Sequence, residues 1–366
     1  MSLLLKLANV LTIVAENLNA VFLADVDISL NNGKLFLFLV YLTHDANSPY
    51  TTLGMLMSYL SFPLFLYFLR VSFIVLSFST FSISAQGDSN DSDSESLDRN
   101  LTGFEALNEA QPLWEFGAGG VALSAANYPA SSEQNFIALA APYIVYRGDV
   151  FRIGGGHGAR AVVLEKSDFE IDLSFGGAFS AESEDNTVRQ GMPELDFLFE
   201  LGPQLIYKVT DISFDGGGKA RLNTQLQIRS VFSTDFRGVD QQGHVIESIL
   251  SYQQRGVLFD NTGLNISFSM TYASEKLQDY FYQVDSFYST NNRKQYDAKG
   301  GYLGSELSVG LSFSMVENIR GFFGGSVKFH QGAANTDSPL YEEDITYSLG
   351  LGFVWRLYES ETKASW

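Results

Sequence analysis

The sequence predicts an all-β fold, a single antiparallel transmembrane β-barrel of about 12 strands preceded by an N-terminal signal and disordered extension. One observation behind this prediction is an alternation of apolar and polar residues that recurs in segments of about ten residues. A second is composition, because 33 Gly and 30 Phe against 8 Pro suit closely packed strands better than a helical enzyme. A third is an apolar, secretory-type segment upstream of the alternating region, which supplies an export route.

The clearest alternation lies close to the C-terminus, at 347–357. One face of this segment is apolar and includes Phe353 and Trp355, whereas the other face carries Ser, Gly, Val and Arg. The order of a polar residue, a Gly and two aromatics resembles the terminal assembly signal of bacterial outer-membrane barrels. We therefore expect this segment to close the barrel by pairing with 319–330 and with 114–124, and its two aromatics to lie near a membrane interface.

The same alternation recurs throughout the region from 112 to 358, and clusters of turn-forming residues separate the segments. We expect strands where the alternation is strong, and further strands where it is weaker. The strong segments are 114–124, 169–180, 195–208, 219–230, 263–274, 302–315, 319–330 and 346–357, and the weaker ones are 136–147, 150–165, 244–254 and 278–288.

Alternation alone does not show which face is buried, because a soluble sandwich or lipocalin-like barrel would turn its apolar face inward. Three observations favour a membrane barrel. Charged and amide side chains recur at mid-strand on the polar faces, which a lumen accommodates. Segments of about 9–13 residues match a tilted span of the hydrocarbon layer. The export signal is the third. We expect the apolar faces to contact lipid and both termini to be periplasmic.

The remaining segments are predicted as follows. Residues 1–56 are an N-terminal extension, and Met55 or Met57 is a candidate initiator that would place this extension outside the natural product. Residues 57–85 are a signal peptide cleaved near Ala85, with a single transmembrane anchor as the alternative. The divisions that follow are an acidic disordered leader at 86–111, the barrel at 112–358 and a C-terminal tail at 359–366.

Charge and cysteine content exclude several classes of protein. The chain has no Cys, so neither disulfides nor cysteine-based metal sites are possible. Its net charge of −19 disfavours nucleic acid as a partner, because phosphate binding needs basic clusters. We interpret the acidic excess as solvated loops and leader, with a cation-attracting funnel as the alternative.

No group of residues has the spacing of a catalytic, cofactor-binding or metal site, and none of the four His lies in a ligand or triad pattern. The glycine-rich stretch 154–158 is expected to be a kink in a strand, and 215–219 a hairpin turn. Ser338-Pro339 with Asp337 could suggest a hydrolase, but a polar turn is the simpler interpretation. Two acidic residues with His330 near one rim could imitate the sites of membrane-barrel proteases and phospholipases. We expect no enzyme activity, no metal and no cofactor.

Several stretches together resemble one family. Their order and spacing are similar to those of the MipA/OmpV family of outer-membrane proteins, and the resemblance covers roughly 112–358. It implies a Gram-negative outer-membrane barrel, whose name-giving members are scaffolds that bring a lytic murein transglycosylase together with a bifunctional murein synthase. The implied partners are therefore outer-membrane lipids and these murein enzymes. The stretches are 127–129, 141–148, 189–192, 195–196, 200–203, 296–303 and 332–340.

Three functions follow as hypotheses. The first is the scaffold of the cell envelope that the resemblance implies. The second is a porin-like channel for small solutes, because polar side chains share the strand faces expected to line the lumen. The third is an outer-membrane hydrolase that uses His330, and we rank this hypothesis below the other two. The polar side chains of the channel hypothesis are Glu200, Gln225, Arg229, Glu306 and Lys328.

Overall fold

The computed structural model describes residues 24–31, 34–43, 52–54, 101, 109–154, 159–178, 186–214, 218–256 and 261–364. The chain divides into two compact units, Met1–Leu60 and Ser61–Trp366. The predicted signal peptide lies outside the described residues, as does most of the predicted leader.

The N-terminal unit contains a small antiparallel sheet with the strand order β1-β2-β3. Its strands are β1 (Ala24–Asn31), β2 (Lys34–Thr43) and β3 (Thr52–Gly54). No strand was predicted here, because β2 is a nearly continuous apolar run rather than an alternating one.

The second unit contains a closed barrel of twelve strands, in which every neighbouring pair is antiparallel. The strands follow one another around the barrel in chain order, and this confirms the predicted fold class. They are β4 (Trp114–Ala126), β5 (Gln134–Arg147), β6 (Phe151–Ile153), β7 (Ala159–Glu165), β8 (Phe169–Ala178), β9 (Phe197–Ser213), β10 (Lys219–Thr234), β11 (Val239–Arg255), β12 (Thr262–Ala273), β13 (Gly301–Val316), β14 (Ile319–Phe329) and β15 (Ile345–Glu359).

All eight strongly alternating segments are strands, but two of the weaker segments differ from their predictions. The segment 150–165 holds two short strands, β6 and β7, which turn back on each other because Ile153 pairs with Ala159. The segment 278–288 is not a strand. It overlaps the helix α1 (Glu275–Tyr282) and a short 3₁₀ turn, Ser286–Tyr288. The two errors cancel, so the predicted number of strands was right.

Helix α1 forms because its apolar residues recur at helical spacing over eight residues. Leu277 and Phe281 are four residues apart and both are buried, and Gln278 and Tyr282 repeat that relation one position later. The first turn is anchored by the Ser274 carbonyl, which accepts hydrogen bonds from the backbone N–H groups of Leu277 and Gln278. Among the residues described, no helix is both long enough and apolar enough to cross a membrane.

The predicted orientation of the strand faces is confirmed. Along β15 the apolar residues are exposed on the outer surface, and Leu351, for example, is 60% exposed. The residues between them are less exposed and face the lumen. An apolar outer surface and a polar interior is the arrangement expected of a barrel in lipid, not of a soluble barrel.

Closure of the barrel occurs where β15 pairs with β4, and β15 pairs with β14 on its other side, as predicted. The C-terminal tail extends this seam. The Leu113 N–H donates to the Thr362 carbonyl at 2.9 Å, and the Ala364 N–H donates to the Gln111 carbonyl at 2.8 Å. The tail therefore continues the pairing of β15 with the start of β4.

The predicted leader contacts the barrel at Leu101 as well as at Gln111. Leu101 is buried, and its carbonyl accepts a hydrogen bond of 2.7 Å from Arg255 Nε at the end of β11. Residues 215–217 of the predicted hairpin lie outside the described residues, and the strands on either side of them pair, with Ser213 opposite Lys219. Of the expected glycine-rich kink, only Gly154 is described; it follows β6 with φ of +83°, and 155–158 lie outside the described residues.

The seam imposes a glycine at position 117. A Cβ built there would lie 1.9 Å from the Trp355 carbonyl oxygen, next to the bulge between Arg356 and Tyr358. Gly310 on β13 is a matched control, because a Cβ at that position meets no atom within 4 Å.

We expect Gly117→Ala to destabilise the refolded barrel by about 2 kcal/mol or more, because the seam must open to admit the methyl group. Gly310→Ala should stay within about 0.5 kcal/mol of the parent. Urea unfolding in detergent, with heat-dependent gel mobility as the sign of a closed barrel, measures both. Equal stability of the two variants would show that the seam tolerates a side chain at 117.

Candidate functional site

The lumen has two unlike walls. Paired residues in an antiparallel sheet share a face, so the strand register assigns each side chain to the lumen or to the outer surface. By this criterion Glu200, Gln225, Arg229, Glu306 and Lys328 all face the lumen, as the channel hypothesis requires. The wall formed by β7–β11 is rich in charged and amide side chains, whereas the wall formed by β4 and β13–β15 is made mostly of small and apolar ones.

Ion pairs bind the strands of the first wall to one another. Arg229 on β10 reaches both neighbouring strands, because its Nε lies 3.0 Å from Glu200 on β9 and its Nη2 lies 2.9 Å from Glu247 on β11. Each of these three side chains is at most about a quarter exposed. One guanidinium between two carboxylates leaves a local excess of negative charge.

A second group of charges lies around β6, β7 and β8. Arg152 pairs with Glu165 at 2.6 Å and with Glu170 at 3.3 Å, and Arg160 pairs with Glu170 at 3.2 Å. Deeper in the same wall Gln204 donates a hydrogen bond of 3.2 Å to Asp172. Paired charges of this kind can be held inside a barrel because each carboxylate has a cation or a donor beside it.

A third pair lies close to the end of the barrel that carries the termini. Glu115 on β4 is buried and accepts hydrogen bonds from Arg147 Nη2 at 2.5 Å and from the Tyr143 hydroxyl at 3.1 Å. Arg147 also donates to the Pro112 carbonyl at 2.8 Å. This pair thus ties β4 and β5 to the start of the barrel.

The second wall borders a cavity of about 400 Å³ halfway along the lumen. The one charged residue in its lining is Glu306, which pairs with Lys328 just outside the lining, with 3.2 Å between Oε2 and Nζ. The other lining side chains are hydroxyl, amide, apolar or absent. Those that face the lumen are Val121, Leu123, Asn265, Ser308, Gly310, Ser312, Phe322, Gly324, Ser326, Ser348 and Gly350.

At the end opposite the termini, the connecting loops pack together into what we call the loop cap, formed by 127–133, 186–196, 274–300 and 330–344. Its apolar centre includes Leu277 and Phe281 of α1, together with Val231 and Val245 of the barrel. Because Val231 and Val245 face inward by their register, the cap extends into the mouth of the barrel. The other members of this apolar cluster are Tyr128, Leu195, Leu198, Ala273, Tyr282, Val284, Ala298 and Leu340.

Hydrogen bonds join the loops of the cap across long distances in sequence. The Tyr128 hydroxyl donates to the Leu340 carbonyl at 2.8 Å, and the Tyr282 hydroxyl donates to the Pro129 carbonyl at 2.8 Å. Arg189 donates to the Phe281 carbonyl at 3.1 Å. Burial raises the pKa of Tyr128 and of Tyr282 well above the usual range, so both hydroxyls keep the proton that they donate.

Ala130 is the point at which two of these loops meet. Its backbone has a left-handed φ of 65°, which residues other than glycine rarely adopt. Its N–H donates to His330 Nε2 at 3.2 Å, and its carbonyl accepts from the N–H groups of Glu342 and Glu343 at 3.0 Å each. These three hydrogen bonds hold the strained residue in place.

The residues that could imitate a hydrolase have structural contacts in the cap. The Ser338 hydroxyl is buried and donates to the Tyr282 carbonyl at 2.8 Å, whereas Asp337 is exposed. His330 is buried between Ala130 and Thr346, whose hydroxyl lies 2.9 Å from Nε2. Burial lowers the pKa of His330 to about 4, with Lys328 acting in the same direction and the Leu303 backbone, Asp344 and Glu306 opposing it.

The fold and the lumen identify the class of protein. A closed twelve-stranded barrel with an apolar outer surface and a polar interior is an outer-membrane β-barrel protein, and the outer membrane is where the chain is located. The family described as MltA-interacting protein MipA matches residues 117–357, so the chain belongs to that family. The resemblance seen in the sequence is thereby confirmed.

Solved structures of two other barrels are similar to the chain. A NanC porin shares 9% identity with a TM-score of 0.31, over 66% of this chain and 100% of that one. Outer membrane phospholipase A from Escherichia coli shares 10% identity with a TM-score of 0.27, over 72% of this chain and 98% of that one. Among curated proteins, none matches this chain.

Sequence reasoning did not find the cap or the cavity. The stretches that carry the family resemblance were a usable signal for the cap, because 127–129, 189–192, 296–303 and 332–340 all lie in its loops or at their junction with β13. The cavity had no comparable signal, since its lining comes one or a few residues at a time from separate strands.

The cap should loosen in acid. Because the folded-state pKa of His330 is depressed, the unfolded loop binds a proton more readily than the packed one, and stability falls as pH decreases from about 6.5 to about 4. The loss should reach about 3 kcal/mol at most. Hydrogen exchange of segment 274–300, corrected for the intrinsic pH dependence of exchange, measures it.

His330→Gln is the matched control for that experiment. The Gln side chain can accept the Ala130 N–H bond but does not titrate in this range. Protection of 274–300 in this variant should change little between pH 7 and pH 4. An equal loss of protection in the parent and the variant would assign the acid response to another group.

Proposed function

We propose that the chain is an interaction protein of the outer membrane that binds a lytic murein transglycosylase through its periplasmic end. The match of residues 117–357 to a family described as MltA-interacting carries this proposal. A murein synthase would be the second partner of the scaffold. The role requires a stable platform rather than a reaction, so we propose no catalytic step for this chain.

The difference between the two barrel ends supports partner binding at the end that carries the termini. The other end is covered by the packed loop cap. At the terminal end the described connections 148–150, 166–168 and 317–318 are short, and charged side chains on them are exposed to solvent. Short turns on a closed barrel hold their positions, which reduces the ordering cost of binding a partner.

A pull-down with a purified lytic transglycosylase tests the interaction. The double variant Glu317→Lys with Glu361→Lys reverses two exposed charges at the terminal end. It should weaken retention about tenfold, or about 1.4 kcal/mol, because rim charges steer association.

The matched control reverses two exposed charges in the cap, Asp337→Lys with Glu343→Lys, and makes the same change in net charge. This control should be retained like the parent. No retention of the parent would contradict the interaction itself, and equal weakening by both pairs would contradict binding at the terminal end.

A porin-like channel for small solutes is the second candidate, and the luminal cavity of about 400 Å³ favours it. In planar bilayers the parent should then show discrete conductance steps. Lys328→Glu removes the cation that Glu306 pairs with and places a second carboxylate in the lumen, so selectivity should shift toward cations. A parent without discrete steps would contradict the channel.

A further inference from the structure

The luminal cavity is more than a gap between side chains, because the strands leave it open at their centres. A Cβ added at Gly310 would meet nothing within 4 Å, and one at Gly350 would first meet Leu123 at 3.4 Å. Both glycines line the cavity. Glycine at these two positions therefore creates volume rather than relieving backbone strain.

One aromatic ring in the cavity lining packs over a glycine. Phe322 on β14 faces the lumen, because it pairs with Gly352 of β15 and with Ser312 of β13. A Cβ at position 352 would lie 2.5 Å from Cζ of the ring, so only glycine lets the ring settle there. Phe322 remains 37% exposed and lines the cavity.

Side-chain hydroxyls and one amide line the part of the cavity away from the ring, where Ser308, Ser326 and Ser348 form one row across β13, β14 and β15. Ser326 and Ser348 lie 2.6 Å apart through their Oγ atoms, and Ser308 donates to Glu306 at 3.1 Å. A hydroxyl that makes one hydrogen bond can still accept another, so these groups can both position one another and bind a ligand. Asn265 on β12 adds an amide, which both donates and accepts.

Glu306 is the one charged residue in the lining of the cavity. Its carboxylate is neutralised by Lys328, which lies outside the lining with its Nζ 3.2 Å from Oε2. A cationic ligand would compete with Lys328 for this carboxylate, and an anionic ligand would enter without a counter-charge, which is costly away from bulk water. A neutral ligand can hydrogen-bond to Glu306 without breaking its ion pair.

We propose that this cavity is a binding site for a neutral, polyhydroxylated solute of mono- or disaccharide size. The volume lies within the range of about 300–1,000 Å³ that is typical of small-molecule sites. A sugar ring offers a C–H face to Phe322 and a rim of hydroxyls to Ser308, Ser326 and Ser348. The site stands apart from transglycosylase binding, and it does not depend on conduction, because a solute can bind without crossing the membrane.

Calorimetric titration of the detergent-solubilised full chain tests the site with four neutral disaccharides: maltose, sucrose, lactose and trehalose. At least one should bind with a Kd below about 10 mM. Maltobionate, the acidic counterpart of maltose, should bind at least about tenfold more weakly than maltose if maltose is bound. Absence of binding by all four sugars would overturn the proposal, and so would tighter binding of the acid.

Variants on β13 show whether the sugar occupies this cavity. Gly310→Leu fills the open space and should weaken binding of the best sugar at least tenfold. Val316→Leu introduces the same residue at an exposed position at the end of the same strand, outside the cavity lining, and should leave the affinity unchanged. Heat-dependent gel mobility verifies that both variants are folded. Unchanged affinity in folded Gly310→Leu would overturn the assignment, whatever the outcome of the pull-down or the bilayer recordings.

Discussion

The structure depends on one constraint, that a sheet in hydrocarbon must pair all of its backbone N–H and C=O groups within the chain. The seam between β15 and β4 meets this constraint, and the tail continues it through Thr362 and Ala364. The seam has no room for a side chain at Gly117, because the Trp355 carbonyl occupies the place where a Cβ would lie. The residues after the closing strand therefore lengthen the seam, and their presence does not argue against a terminal assembly signal.

Closure also determines where charge can lie. Every inward side chain shares one lumen, so the carboxylates of the polar wall need partners close by, as Glu200 and Glu247 find in Arg229. Concentrating these large charged groups on β7–β11 fills that side of the interior. Glycine and serine on β13–β15 leave the opposite side open, and the cavity lies there. The open space is thus a consequence of an uneven distribution of side-chain size around the barrel.

The alternation of residues predicted the barrel well because a strand in lipid must keep a strict period of two over its whole length. It failed at β6, whose three residues are too few to show a period, and at α1, which spans only eight residues outside the barrel wall. The cap could not be predicted in this way. Tyr128 and Leu340 are 212 residues apart in sequence, and no local pattern indicates that they meet.

The cap gives the lumen a direction. His330 and its partner Thr346 lie at the cap end of β14 and β15, and the inward-facing Val231 and Val245 pack beneath helix α1. Passage of a solute through the barrel is obstructed in two places. Ion pairs fill one side of the lumen, and apolar side chains pack the mouth at the cap end. A solute that enters the remaining space meets hydroxyls, one ring and a neutralised ion pair, which are features suited to holding a molecule. The proposed solute site in the lumen and the proposed partner-binding surface at the terminal end use different parts of the barrel, so the two proposals are compatible in one chain.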